Sequence, residues 1–447
     1  MNTPVSDFIE KYNTDSAVRL HVPGHKGKAM GLSEERDITE IEGADVLYHE
    51  TGILGESQKN ASQLFGTEKT LYSAEGSSLS IRAMTALVKM YAESRNRKCV
   101  ILAARNAHKV FMTVTALLGI RVKWLYPENE AVITAGITPE ALRCFLKNAE
   151  EIPTALYVTS PDYLGNISDI KALSEICREY DILLTVDNAH GAYLHFLEED
   201  IHPITLGAHM CTDSAHKTLP VLTGGGYLHI SEKAPDIIKE SAEKMMALFA
   251  STSPSYLILS SLDKANRYIS DSIREDLRGL LVKLVALRGK LSCKGYKLYG
   301  DEKLKITIDA KKYGYKGTEF SDILRKNGIE CEFSDPDFVV LMFTPFISEK
   351  ELRHTENVLL SIPKKEQLNE ETPFAVKCER VFSVKDALFM PSERVKTEEA
   401  KGRILASPSV TCPPAVPIAV CGERLSEEAV ISFMYYGIEE IDVLKEV

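Results

Sequence analysis

Two short segments hold residue types that can do covalent chemistry. In Leu183-Leu184-Thr185-Val186-Asp187-Asn188-Ala189-His190-Gly191 an acid follows directly on an apolar run. In Asp213-Ser214-Ala215-His216-Lys217-Thr218 a lysine sits in a polar turn after the next apolar run, with Gly224-Gly225-Gly226 just beyond. A lysine held among polar groups can form a Schiff base with a carbonyl. A carboxylate at the end of a buried strand can keep a pyridine nitrogen protonated, so that the ring draws electrons. Together these point to a pyridoxal-phosphate (PLP) site with Lys217 as the covalent anchor and Asp187 at the ring nitrogen. Taken singly, each residue has a plainer use: Asp187 could cap the next helix, and an isolated lysine is commonly a surface residue.

Two further segments support the same chemistry. Ser73-Ala74-Glu75-Gly76-Ser77-Ser78-Leu79-Ser80 precedes a strongly helical stretch, and amides and hydroxyls at a helix N-terminus make an anion site suited to a phosphate. An ordinary serine cap is an equal reading of that segment alone. Ala104-Arg105-Asn106-Ala107-His108-Lys109 lies at another strand-to-helix junction. His108 could stack on a cofactor ring, or simply cap the helix.

The elements that must position these residues alternate from residue 70 onward. Helical periodicity at Ser77–Ala92, 108–118, 139–149 and 170–180 is interleaved with short apolar runs at 99–103, 122–126, 154–159 and 182–186. Runs around Cys211 and over Gly226–Ile230 follow. Continuous apolar runs, rather than alternating ones, predict strands covered on both faces. The expected fold is α/β with a mostly parallel sheet, whose ligands lie at the carboxyl ends of the strands. A long helical region over 254–291 predicts two helices. Beyond Cys293 shorter strands and helices alternate, with a proline-rich bend at Cys412–Pro417. Two domains are expected: a large one over 1–292 with an N-terminal arm, and a smaller α+β one over 293–447, the boundary good to about ten residues.

Composition narrows the function classes. A net charge of −11 argues against a nucleic-acid binder, which needs a basic stripe. The N-terminus lacks the basic and apolar regions of a signal peptide, and no apolar run is long enough to cross a membrane. The nine cysteines sit singly, with no CxxC pair, which fits reduced thiols of a cytoplasmic protein and no metal site.

The ordered set Ser77-Ser78, His108, Asp187, His190, Ser214, His216 and Lys217 resembles the Orn/Lys/Arg decarboxylases of PLP fold type I. His21-Val22-Pro23-Gly24-His25-Lys26 is similar to the family's opening segment, and Asp37-Ile38-Thr39-Glu40 to its D-x-T-E stretch. Asp213–Thr223, Ser251-Thr252-Ser253-Pro254-Ser255-Tyr256 and Gly402-Arg403-Ile404 match further motifs, so the resemblance spans nearly the whole chain. It resembles the short form that lacks an N-terminal wing domain. The resemblance implies that Lys217 carries PLP and that Asp187 pairs with the ring nitrogen. It places His108 against the ring, and His190 near the ring and the substrate carboxylate. Ser77, Ser78, Ser214 and His216 would hold the phosphate. Thr252 would reach the phosphate of a neighbouring subunit in a homodimer or higher oligomer, and the His21–Lys26 segment would line the site's mouth. The implied reaction is α-decarboxylation of arginine, lysine or ornithine to a polyamine-pathway amine. Another PLP reaction, or a PLP-binding protein with altered activity, stands as the alternative, because fold does not fix reaction type.

The chain departs from the family pattern at Glu75, at Asn188 where an acid is usual, at Ser407, and at the proline bend. If the usual acid at 188 meets the substrate's distal cation, its replacement would bear on substrate choice.

Overall fold

The computed structural model describes residues 1–15, 17–28, 30–49, 51–126, 131–134, 136–407, 411–412 and 416–445. The proline bend at 413–415 lies outside them. Through the first two thirds, helices α1 (Pro4–Thr14), α2 (Gly52–Phe65), α3 (Gly76–Ser94), α4 (Lys109–Leu117), α5 (Pro139–Lys147) and α6 (Ile170–Glu179) alternate with strands β1 (Lys69–Ser73), β2 (Val100–Ala104), β3 (Arg121–Leu125), β4 (Ala155–Thr159) and β5 (Leu183–Asp187). Strand β6 (Met210–Asp213), the one-turn helix α7 (Ala215–Thr218) and β7 (Gly226–Ile230) follow, then helices α8 (Asp236–Phe249), α9 (Tyr256–Asp271) and α10 (Ile273–Lys294). Strands β1 to β7 form one sheet in the order β1-β7-β6-β5-β4-β2-β3.

The chain divides into two compact units. The first comprises Met1–Cys99, Ile152–Leu156 and Ile170–Leu277; the second comprises Val100–Glu151, Tyr157–Asp169 and Arg278–Val447. In the first unit β5 and β6 run parallel. Strand β7 is antiparallel to both β6 and β1. The reversal follows from the connection: residues 214–225 hold only one helical turn, whereas a parallel return needs a longer crossover. Every residue of β5 and β7 is buried, and burying each large aliphatic there contributes about 1.5–3 kcal/mol. Helix α3 covers β7 and α8 with Leu79, Ala83, Met84 and Leu87, one face of its 3.6-residue period. Strand β1 and helix α8 are absent from the sequence expectation. Strand β1 is five residues opened by Lys69 and Thr70, too short and polar to stand out as an apolar run.

In the second unit β2 and β3 are parallel. Beyond α10 come β8 (Leu298–Tyr299), β9 (Lys305–Asp309), α11 (Ala310–Tyr313), α12 (Gly317–Lys326), β10 (Phe333–Ser334), β11 (Phe338–Met342) and α13 (Glu349–Ser361). The four strands form an antiparallel sheet ordered β10-β11-β9-β8. A capping box between Ser348 and Glu351 fixes the start of α13. The C-terminal stretch from Cys378 onward packs around Leu405, Leu425, Phe433 and Val443. No helix of the described residues is long and apolar enough to cross a membrane.

Candidate active site

The chemistry-bearing residues of the first unit gather at two turns. The β5 strand ends on Asp187, which is 2 % exposed; one of its oxygens accepts the Ala189 amide at 3.3 Å. The chain then folds back, with Gly191 N–H donating to Asn188 O at 2.8 Å, and this turn aims the buried His190 toward the next strand end. There α7 lifts Lys217 from β6, and Lys217 Nζ meets His190 Nε2 at 3.0 Å. A half-buried amine in contact with an imidazole can pass a proton to it, the condition for a nucleophilic lysine.

The second cluster is a cradle at the N-terminus of α3. Gly76, at φ 66°, starts the helix, and Ser214 Oγ donates to Ser77 Oγ at 2.9 Å. The glycines ahead of β7 let its backbone run against this terminus. A Cβ on Gly226 would lie 2.9 Å from Asp213 O and 3.2 Å from Ser77 N, both backbone atoms that cannot yield. His216 donates its backbone N–H to Gly225 O at 3.1 Å, and its Nδ1 lies 2.8 Å from the same oxygen. The N-terminus of a 19-residue helix, two serine hydroxyls and a space kept clear of side chain fit a phosphate. The residues present therefore fit PLP: a cradle for its phosphate, a buried carboxylate and a lysine.

Glu75 adjoins this cradle, and its carboxylate is turned outward. Its Oε1 accepts the Ser251 N–H at 2.7 Å, tying the cradle to the exposed Ser251–Ser253 loop that carries Thr252. Two family segments also meet in this unit: His25 Nε2 lies 3.2 Å from Asp37 Oδ2, and His21 Nε2 lies 2.7 Å from Tyr12 OH.

His108 belongs to the second unit. It is the N-cap of α4, its Nδ1 accepting Val110 N–H at 3.2 Å, so the plainer use of this histidine is present. Just before it the Arg105 guanidinium, 1 % exposed, lies 5.1 and 5.3 Å from the Trp124 and Tyr126 ring centres. It donates to the carbonyls of Pro417 and Ile418. Burial raises the Glu423 carboxyl above its usual range, against the pull of Arg105.

Position 188 differs from the expectation. Asn188 is fully buried and donates through Nδ2 to Asp213 Oδ1 at 2.7 Å, so the side chain at 188 faces the interior. Asp213 also takes His202 Nε2 and His229 Nε2, each 3.1 Å from Oδ2. Burial alone would raise this carboxyl, but the two imidazoles hold it well below the usual range. Burial likewise lowers His229 below the ordinary imidazole value. Sequence reading passed over this cluster. Its members lie 11, 16 and 25 positions from Asp213, and the one local signal is an acid two residues after Cys211 on a buried strand.

Comparison with known proteins gives this geometry a family. The model of the Orn/Lys/Arg decarboxylase major domain matches residues 3–305, and that of the family's C-terminal domain matches residues 376–442. An arginine decarboxylase of Bacillus subtilis is 28 % identical, over 98 % of this chain and 94 % of the relative. An arginine decarboxylase of Halalkalibacterium halodurans is also 28 % identical, over 95 % and 91 % of the two chains. Among solved structures, the constitutive lysine decarboxylase of Escherichia coli superposes with a TM-score of 0.78 at 17 % identity, covering 99 % of this chain and 82 % of that one. Both domain models thus fall on one chain and in order, the first spanning the Lys217 turn: this protein belongs to the Orn/Lys/Arg decarboxylase family and is a decarboxylase of PLP fold type I.

Proposed function

We propose that this decarboxylase removes the α-carboxylate of a basic amino acid, with arginine the first substrate to test, using PLP bound through Lys217. The observation that carries the reading is the 3.0 Å contact of Lys217 Nζ with His190 Nε2, in the same unit as Asp187 and the Ser77–Ser214 cradle. The full-length arginine decarboxylase relatives support arginine as the first choice.

When bound, PLP supplies an electron-accepting ring beside the substrate's α-carbon. The chain's residues do the rest. Ser77, Ser78 and Ser214 bind the phosphate at the α3 terminus, with His216 on the Gly225 carbonyl shaping that wall. Asp187, 2 % exposed, holds the proton on the ring nitrogen, where low local dielectric strengthens the pairing. Lys217 Nζ, with His190 Nε2 as its proton partner, is positioned to deliver a proton to the α-carbon after carbon dioxide leaves. Thr252 completes the phosphate site of a second copy in a homodimer. The domain break lies near residue 292, and the protein works in the cytoplasm on a route to polyamines.

Purified protein supplied with PLP and arginine, lysine or ornithine tests this by release of carbon dioxide and the matching amine. Turnover of one of the three is expected. Keto-acid formation without carbon dioxide, or no turnover of any, would overturn it.

A further inference from the structure

We propose that Asp213 is a positioning residue whose buried carboxylate, gripped by Asn188, His202 and His229, locks the Asp187–Gly191 turn to the Ser214–Lys217 turn and so holds Lys217 beside His190. The inference rests on the cofactor reading of those two turns.

Asp213 is fully buried and is the last residue of β6, directly before Ser214. Its two oxygens face different elements. Oδ1 accepts Asn188 Nδ2 at 2.7 Å, from the turn that carries His190. Oδ2 accepts His202 Nε2 and His229 Nε2 at 3.1 Å each. The donor sense of His202 is fixed, since its Nδ1 takes the Ile204 N–H at 3.4 Å. His229 in turn meets Thr70 Oγ1 at 2.8 Å through Nδ1, which ties β1 into the set. Phe65 packs against both imidazoles, with ring centres 5.9 and 4.6 Å away. Space is as tight as bonding: a Cβ on Gly191 would fall 2.0 Å from Asn188 Oδ1. His202, Cys211 and Asp213 also have donor atoms within 4.8 Å of one another, but the imidazole and carboxylate are spent on each other, and burial keeps the Cys211 thiol protonated.

The arithmetic of donors makes the arrangement testable. One carboxylate serves three N–H donors, with the Cys211 thiol as a weaker fourth donor to Oδ1 at 3.5 Å. An asparagine at 213 has one acceptor oxygen and one NH2, so with Asn188 opposite it must lose a bond or set two NH2 groups together. An aspartate at 188 would set two buried carboxylates in the 2.7 Å contact that the amide now makes. The reciprocal exchange repairs both faults: the new amide at 213 donates to the new carboxylate at 188, and its oxygen still receives both histidines. A buried donor or acceptor left unpaired costs about 1–3 kcal/mol.

The test compares the unaltered protein with Asn188→Asp, Asp213→Asn and the double variant. PLP dissociation constants are measured at a temperature where circular dichroism shows each folded, alongside melting temperatures. Asn188→Asp is expected to weaken PLP binding at least about tenfold, or about 1.4 kcal/mol, and Asp213→Asn several-fold. The double variant is expected within about threefold of the unaltered protein. If Asn188→Asp does not fold, a folded double variant with near-parental PLP affinity shows the same rescue. Folded single variants that bind PLP like the unaltered protein, or a double variant no better than Asn188→Asp, would overturn the proposal. A fall in melting temperature without loss of PLP affinity would reduce the network to ordinary core packing and would equally overturn it. Failure of the unaltered protein to take up PLP overturns the cofactor reading instead, so the two failures are distinct.

Discussion

Single buried carboxylates in this protein have opposite fates, and their partners decide which. Asp213 meets two imidazoles and an amide, and stays ionised. Asp335, 2 % exposed in the second unit, accepts the amides of Asp337 and Phe338 at 2.8 and 2.6 Å. Burial, reinforced by the Asp337 charge and opposed by those amides and by Lys311, pushes it up to about 7. An acid whose folded value is raised binds its proton more tightly when folded. Its contribution is therefore fullest below the unfolded value of about 4 and is lost as pH rises from there to about 7. Asp335→Asn keeps the acceptor oxygen and removes that loss. The stability advantage of the variant, from denaturant melts, is expected to grow from near zero at about pH 4 to on the order of 4 kcal/mol at neutrality. An advantage that stays flat with pH would contradict this. The turns at Asp187 and Lys217 stand out in sequence because their polar residues are adjacent along the chain; the Asp213 cluster does not, because its partners come from distant segments that only the folded chain assembles.

At the scale of elements, the glycines separate positions where backbone must approach backbone from those where it need not. Gly226 opens β7 against the α3 terminus, and its Cβ would meet only backbone atoms, the closest at 2.9 Å. Gly289 lies inside α10 with nothing within 4 Å of its Cβ position. Gly226→Ala is expected to weaken PLP binding at least about tenfold, read by titration. Gly289→Ala is expected to add about 0.5–1 kcal/mol to stability, since alanine is the better helix former. Equal effects of the two would contradict the cradle. The buried strands showed plainly in sequence: β7 lies at Gly226–Ile230 as expected, and β5 and β4 within one residue at each end. What the apolar pattern could not carry was direction. The reversal of β7 depends on the brevity of the 214–225 connection, which holds one helical turn and not a full crossover helix.

At the scale of the molecule, motifs spread along almost the whole chain serve one reaction class, which is why their order identified the family where single motifs did not. The Ser251–Ser253 loop, held by Glu75, and Val18, Leu20, Val22, Met30 and Leu32 of the arm are exposed. The two compact units are interleaved in sequence, which a linear reading cannot express. The central claim is that Lys217 carries the cofactor, and the visible spectrum of full-length protein dialysed after PLP loading tests it most directly. The account predicts a visible absorption band that survives dialysis in the unaltered protein and is absent in Lys217→Ala folded to the same extent. A band that persists unchanged in Lys217→Ala, or that never forms in the unaltered protein, would contradict it.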